Sequence, residues 1–94
     1  MVCAVRTVTE IRRDYAAANK SYQGFWRAEV AVLDRWSKAQ AILSANPLCP
    51  TAQQTMVDAN AARLEASHAT AAALQARDTI FSELMIAERA ALKA

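Results

Sequence analysis

Glycine and proline are nearly missing from this chain of 94 residues: Gly24, Pro47 and Pro50 are all it has. Tight turns depend on these residue types, so a fold built from strands and successive hairpins is excluded. Cysteine is almost as scarce, with only Cys3 and Cys49. A helix of about 40 residues between them would hold them roughly 60 Å apart. A disulfide needs Cα atoms within about 7 Å, so no bond within one chain is expected. Two unpaired thiols fit a reducing compartment, and a cysteine exposed in a turn at position 49 leaves cross-links between chains open.

Long apolar runs are lacking as well. From Met1 to Arg13 no stretch is long enough for a cleavable signal peptide, and charges interrupt every later one well short of about 18 residues. Synthesis in the cytoplasm, or incorporation into a particle, is expected, with no membrane span. Charge of one sign is also weak, at +2 overall. Residues 1 to 47 carry seven Lys/Arg against four Asp/Glu, and residues 48 to 94 carry four against five. That imbalance is too small to imply a nucleic-acid partner. There is one histidine, no Gly-rich phosphate loop, no cysteine pair at metal spacing and no nucleophile placed with a base. The sequence therefore predicts no enzyme, no cofactor and no small-molecule substrate.

What the chain has is alanine, within a 54% hydrophobic composition. Both prolines fall in Asn46-Pro47-Leu48-Cys49-Pro50, and a residue preceding proline is pushed out of helical dihedrals, so the chain turns near its midpoint. Thr7 with Glu10, and Thr51 with Gln54, have the spacing of a capping box. The expectation is one domain over 1–94: a helix over 7–45, a turn over 46–50 and a helix over 51–92. A short connection makes the two helices antiparallel neighbours.

The first helix carries an unbroken 3-4 spacing of mostly apolar residues: Val8, Ile11, Tyr15, Ala18, Tyr22, Phe25, Glu29, Val32, Trp36, Ala39, Leu43. The second offers a facing seam at Val57, Asn60, Leu64, Ser67, Ala71, Leu74, Asp78, Phe81, Met85, Glu88 and Leu92. It also carries a second stripe, nearly opposite, running from Ala52 to Ala90. One rod cannot cover both. Alanine's high helix propensity gives a plain reason for an exposed alanine face. Ile80 and Leu84 gain little from exposure, however, and small side chains let helical backbones approach closely. Ala59, Ala62, Ala66, Ala69, Ala73, Ala76, Ile80, Leu84 and Ala87 are therefore expected to receive a helix from another chain. Gly24 marks either a close contact or a break, and the seam running across it favours a continuous helix.

The fold class predicted is thus all-α, a coiled-coil-like hairpin completed into a bundle by oligomerisation or a partner. A single core of this size is marginal without such help.

Polar residues interrupt the apolar faces at a few points. Folding about Leu48 brings Glu29 level with Ser67 and His68, Asn60 level with Trp36, and Asp78 near Ala18, between Tyr15 and Tyr22. Polar layers of this kind fix register and orientation in helical seams. Glu29 with Glu65 and His68 also has the parts of a ferritin-like site, in which one helix gives a Glu and another gives Glu-x-x-His, two hairpins completing a di-iron bundle. Small encapsulated ferritins are similar hairpins, but they carry more acids on the first helix, and the resemblance stops at this motif. On a straight helix, moreover, Glu65 and His68 do not both face Glu29.

Arg6, Arg13, Lys20 and Arg27 recur at sevens as a basic stripe on the first helix's outer face. Such stripes are ordinarily solvated charge. A functional one would dock on an acidic protein surface, as in a small inhibitor or regulator, or meet Asp58, Glu65 and Glu83 of another copy. The five-residue turn between two helices resembles the turn of type III secretion needle subunits, hairpins that polymerise. The likeness covers those five residues and the architecture, and membership is not drawn from it. The function expected is a non-enzymatic structural or adaptor/chaperone subunit of a larger assembly, such as a phage particle or a secretion apparatus.

Overall fold

The computed structural model describes residues 6–93. Two helices make up the molecule: α1, Val8–Ala45, and α2, Pro50–Lys93. They lie side by side as a hairpin whose extents are 68 × 25 × 15 Å. This is the all-α, coiled-coil-like hairpin that the scarcity of breakers and the midpoint prolines predict. Cys3 lies outside the described residues, and Cys49 is exposed in the turn.

Local chemistry sets the boundaries. Thr7 has extended dihedrals and its hydroxyl accepts from the Glu10 backbone N–H at 3.1 Å, which satisfies one of the first-turn donors of α1. At the other end the Asn46 side chain donates to Ile42 O at 3.1 Å and its backbone N–H reaches Ile42 O and Leu43 O, closing the last turn. The start of α2 corrects the expected capping box. The helix begins at Pro50, whose fixed φ and missing N–H suit a first helical position. Thr51 therefore sits inside the first turn, where it presents its carbonyl to the Thr55 hydroxyl, and the Gln53 side chain ties back to Pro47 O at 2.9 Å.

α1 runs through Gly24 without a break. A methyl group built there would meet nothing within 4 Å, so no close approach within the chain explains the glycine.

The face α1 turns inward is the predicted seam. Ile11 and Ala39 are buried and Val8, Tyr15, Ala18, Tyr22, Glu29, Val32, Trp36 and Leu43 are half-buried, while Phe25, also expected in the seam, is exposed. The face α2 turns inward is not the predicted one. Its buried and half-buried residues recur as Ala52, Met56, Ala59, Arg63, Ala66, Thr70, Ala73, Arg77, Ile80, Leu84 and Ala87. Val57, Leu64, Phe81, Met85 and Leu92, expected in the seam, are exposed. The helix is turned by about a quarter revolution from the expected orientation, at ~100° per residue.

The physical reason lies in the shapes on α1. Tyr22 and Trp36 are wide, and Ala52, Ala59, Ala66 and Ala73, at every second seam position from the turn to mid-helix, give them room while letting the axes approach. Large side chains meeting large ones would hold the helices apart and leave gaps beside each ring. Close approach is visible at Thr70. Its hydroxyl lies 2.9 Å from Ala66 O in its own helix and 3.2 Å from Phe25 O of α1, one proton shared between two carbonyls. The alternate seam positions Arg63 and Arg77 lay their guanidinium groups over Trp36 at 5.1 Å and Tyr22 at 4.7 Å. Their aliphatic stems fill the seam where a leucine stands in an ordinary coiled coil.

Candidate protein-interaction surface

Cross-helix contacts fix the register. Tyr15 packs on Phe81 with ring centroids 5.7 Å apart, Arg77 Nη1 donates to Asn19 Oδ1 at 3.3 Å, and Trp36 Nε1 donates to Asn60 Oδ1 at 2.6 Å. The residue numbers in these three pairs share one sum, which puts the fold axis at Leu48. A fourth contact, Arg12 Nη2 to Glu88 Oε1 at 2.9 Å, closes the open end of the hairpin. All four lie along one side of the seam and define one broad face of the molecule.

That face is apolar in its middle. On α1, Arg12, Asn19, Trp26 and Leu33 follow one another at steps of seven and so occupy one strip of the helix. On α2 the strip beside it is Asn60, Ser67, Leu74, Phe81 and Glu88, again at sevens, with Leu64, Ala71 and Met85 next to it. Trp26 is 51% exposed, Leu33 41%, Leu64 52% and Phe81 46%. By contrast no side chain in the described chain is fully buried, and the buried hydrophobic residues are only Ile11, Ala39, Ala52 and Leu84. More large apolar surface faces outward than inward.

The residues expected to receive a helix from another chain are used differently. Ala59, Ala66, Ala73, Ile80, Leu84 and Ala87 are buried or half-buried against α1. Ala62 and Ala69 flank that seam half-buried, and Ala76 is exposed. The alanine stripe is thus mainly the intramolecular seam, a correction that follows from the quarter turn of α2. Ala62 also lines a shallow pocket of about 200 Å³ with Arg35, Ala39, Thr55, Asp58 and Ala59, on the side opposite the apolar face.

The polar positions separate in the same way. Trp36 and Asn60 meet. Asp78 is exposed beside Arg77 at 3.3 Å and bonds neither tyrosine, because Arg77 itself occupies the place over Tyr22 and Phe81 takes Tyr15. Glu29 is half-buried, whereas Ser67 and His68 are exposed. The expected layer of Glu29 with His68 or Ser67 is therefore not assembled. The ferritin-like set fares likewise, since Glu65 and His68 both point to solvent, and among the described residues no three His, Cys, Asp or Glu side chains gather at metal-binding distances.

In the basic stripe Arg6 is taken up within the chain, pairing with Asp14 and, at 3.0 Å, with Glu83. Arg13, Lys20 and Arg27 are exposed. The two arginines in the seam escaped sequence analysis because charged residues are placed outside by default. Their seven-residue relation to Met56, Thr70 and Leu84 was the available signal. Arg63 is the costly one: its Nε is buried with no hydrogen-bond partner.

No family model matches the chain, and neither the curated proteins nor the solved structures give a match. No helix among the described residues is long and apolar enough to cross a membrane.

Proposed function

We propose that this protein is a non-enzymatic structural or adaptor subunit that acts by packing its open helical face into a larger protein assembly. The observation carrying this reading is the inverted distribution of apolar bulk. Alanines line the inside of the hairpin, while Trp26, Val30, Leu33, Leu64, Phe81 and Met85 stand at least 37% exposed on the described chain. An exposed apolar surface of this extent costs free energy in water and marks a site of association. Two helices alone also make a poor core, since nothing is enclosed on either broad side.

A particle component and a small chaperone would both use such a face. Docking through the basic stripe is the weaker reading, because Arg6 already has two carboxylate partners in its own chain. Size-exclusion chromatography with light scattering, alongside circular dichroism, tests the proposal. Association or partial unfolding at micromolar concentration is the expected result. A stable, fully helical monomer at that concentration overturns it.

A further inference from the structure

Resting on that reading, we infer that the occupant of the open face is a second copy of this chain, related by a two-fold axis parallel to the hairpin's length. In that arrangement α1 of each copy lies over α2 of the other at the same level, giving a four-helix bundle.

Three features of the face support an identical partner. The first is shape. Trp26 projects from α1 at the level where α2 presents Ser67 and Ala71, because the register of the hairpin pairs residue 26 with residue 70. With Leu74 these residues border a socket on the open side of α2, Thr70 being turned inward against α1, and two of the three are small. Beside it the outer surface of α2 stays open and shallow from Ala71 and Leu74 to Ser82. The two-fold axis lays each Trp26 on the partner's socket and does so twice. Within one chain the ring cannot reach that socket, since both lie on the same surface and point the same way.

The second is charge. The formal charges toward the ends of the face are compensated in pairs, Arg12 with Glu88 and Arg77 with Asp78, and the exposed stretch between Trp26, Leu33, Leu64 and Leu74 is bordered on its seam side by the half-buried Glu29. A strongly acidic partner finds no counter-charge in that stretch. A copy of the same surface is matched at the bundle's end, with Arg12 of one chain beside Glu88 of the other. The third is area. The face spans 68 by 25 Å, ample for the ~800 Å² per partner of a stable interface. Self-complementary two-fold contacts are also the commonest way identical chains associate.

The test uses the full chain. Trp26→Glu should weaken dimerisation by at least about 30-fold in sedimentation equilibrium, the size of a central tryptophan's share in an interface. Ile42→Glu, on the other side of the hairpin, should leave it unchanged. Geometry is read by disulfide trapping in a Cys3→Ser, Cys49→Ser background, where mixing the Trp26→Cys chain with the Ala71→Cys chain should give the mixed covalent dimer. An oligomer indifferent to Trp26→Glu, or one in which Trp26→Cys cross-links only to itself, overturns this inference and leaves the proposed function standing. A monomer that is fully helical at micromolar concentration overturns both.

Discussion

Single residues decide the register of this hairpin. The indole N–H of Trp36 and the amide oxygen of Asn60 meet at 2.6 Å from helices that share no other specific polar pair near the turn. A slip of one turn along the seam would strand both groups, and a part-buried donor without an acceptor carries a desolvation penalty. Asn60→Ala should therefore lower stability by about 1 kcal/mol in thermal or urea unfolding. Trp36→Phe in the Asn60→Ala background should add less than it does alone, as expected of residues in contact. Arg77 makes a contrasting choice, since its guanidinium finds Tyr22, Asn19 and Asp78 together, whereas that of Arg63 finds a ring but leaves Nε unpartnered.

At the scale of the element, α2 is a helix with two apolar sides of unlike size, and the smaller one faces inward. The seam positions Ala52, Ala59, Ala66 and Ala73 are spaced so that each leaves a hollow for a side chain of α1. Ala66 sits where Thr70 touches the backbone of α1. Enlarging it should push the helices apart. Ala66→Leu should destabilise the hairpin by ~1–3 kcal/mol, the usual effect of overpacking. If Ala66→Leu raised the melting temperature instead, the alanine side would not be the inward one. α1 is simpler, with one inward stripe that coincides with its predicted seam from Val8 to Leu43 except at Phe25, which is exposed.

For the whole molecule, 68 Å of length with no fully buried side chain among the described residues leaves little enclosed core. Its stability should depend on association, because a second chain bound to the folded form and not to the unfolded one stabilises by mass action. The melting temperature should accordingly rise with protein concentration over the micromolar range in circular dichroism, by several degrees per tenfold change. A concentration-independent transition would show that the hairpin folds without a companion.

The sequence by itself determined that the chain is all helix, where it turns, and that the two helices run antiparallel about Leu48. These follow from backbone chemistry: prolines at one place, a Thr7 cap, and periodicity of 3.6 residues elsewhere. It also determined the inward stripe of α1, because that helix has one apolar stripe running its full length, and Trp26, Val30 and Leu33 form only a short patch beside it. It did not determine which stripe of α2 faces inward. Two stripes repeat there with equal regularity, so periodicity cannot rank them, and hydrophobicity ranks them wrongly by favouring Leu64 and Phe81 over Ala66 and Ala73. The tertiary structure decided it through volume: Tyr22 and Trp36 on α1 pack beside small residues and arginine stems, Ile80 and Leu84 turn inward with them, and Val57, Leu64, Phe81 and Met85 are left exposed.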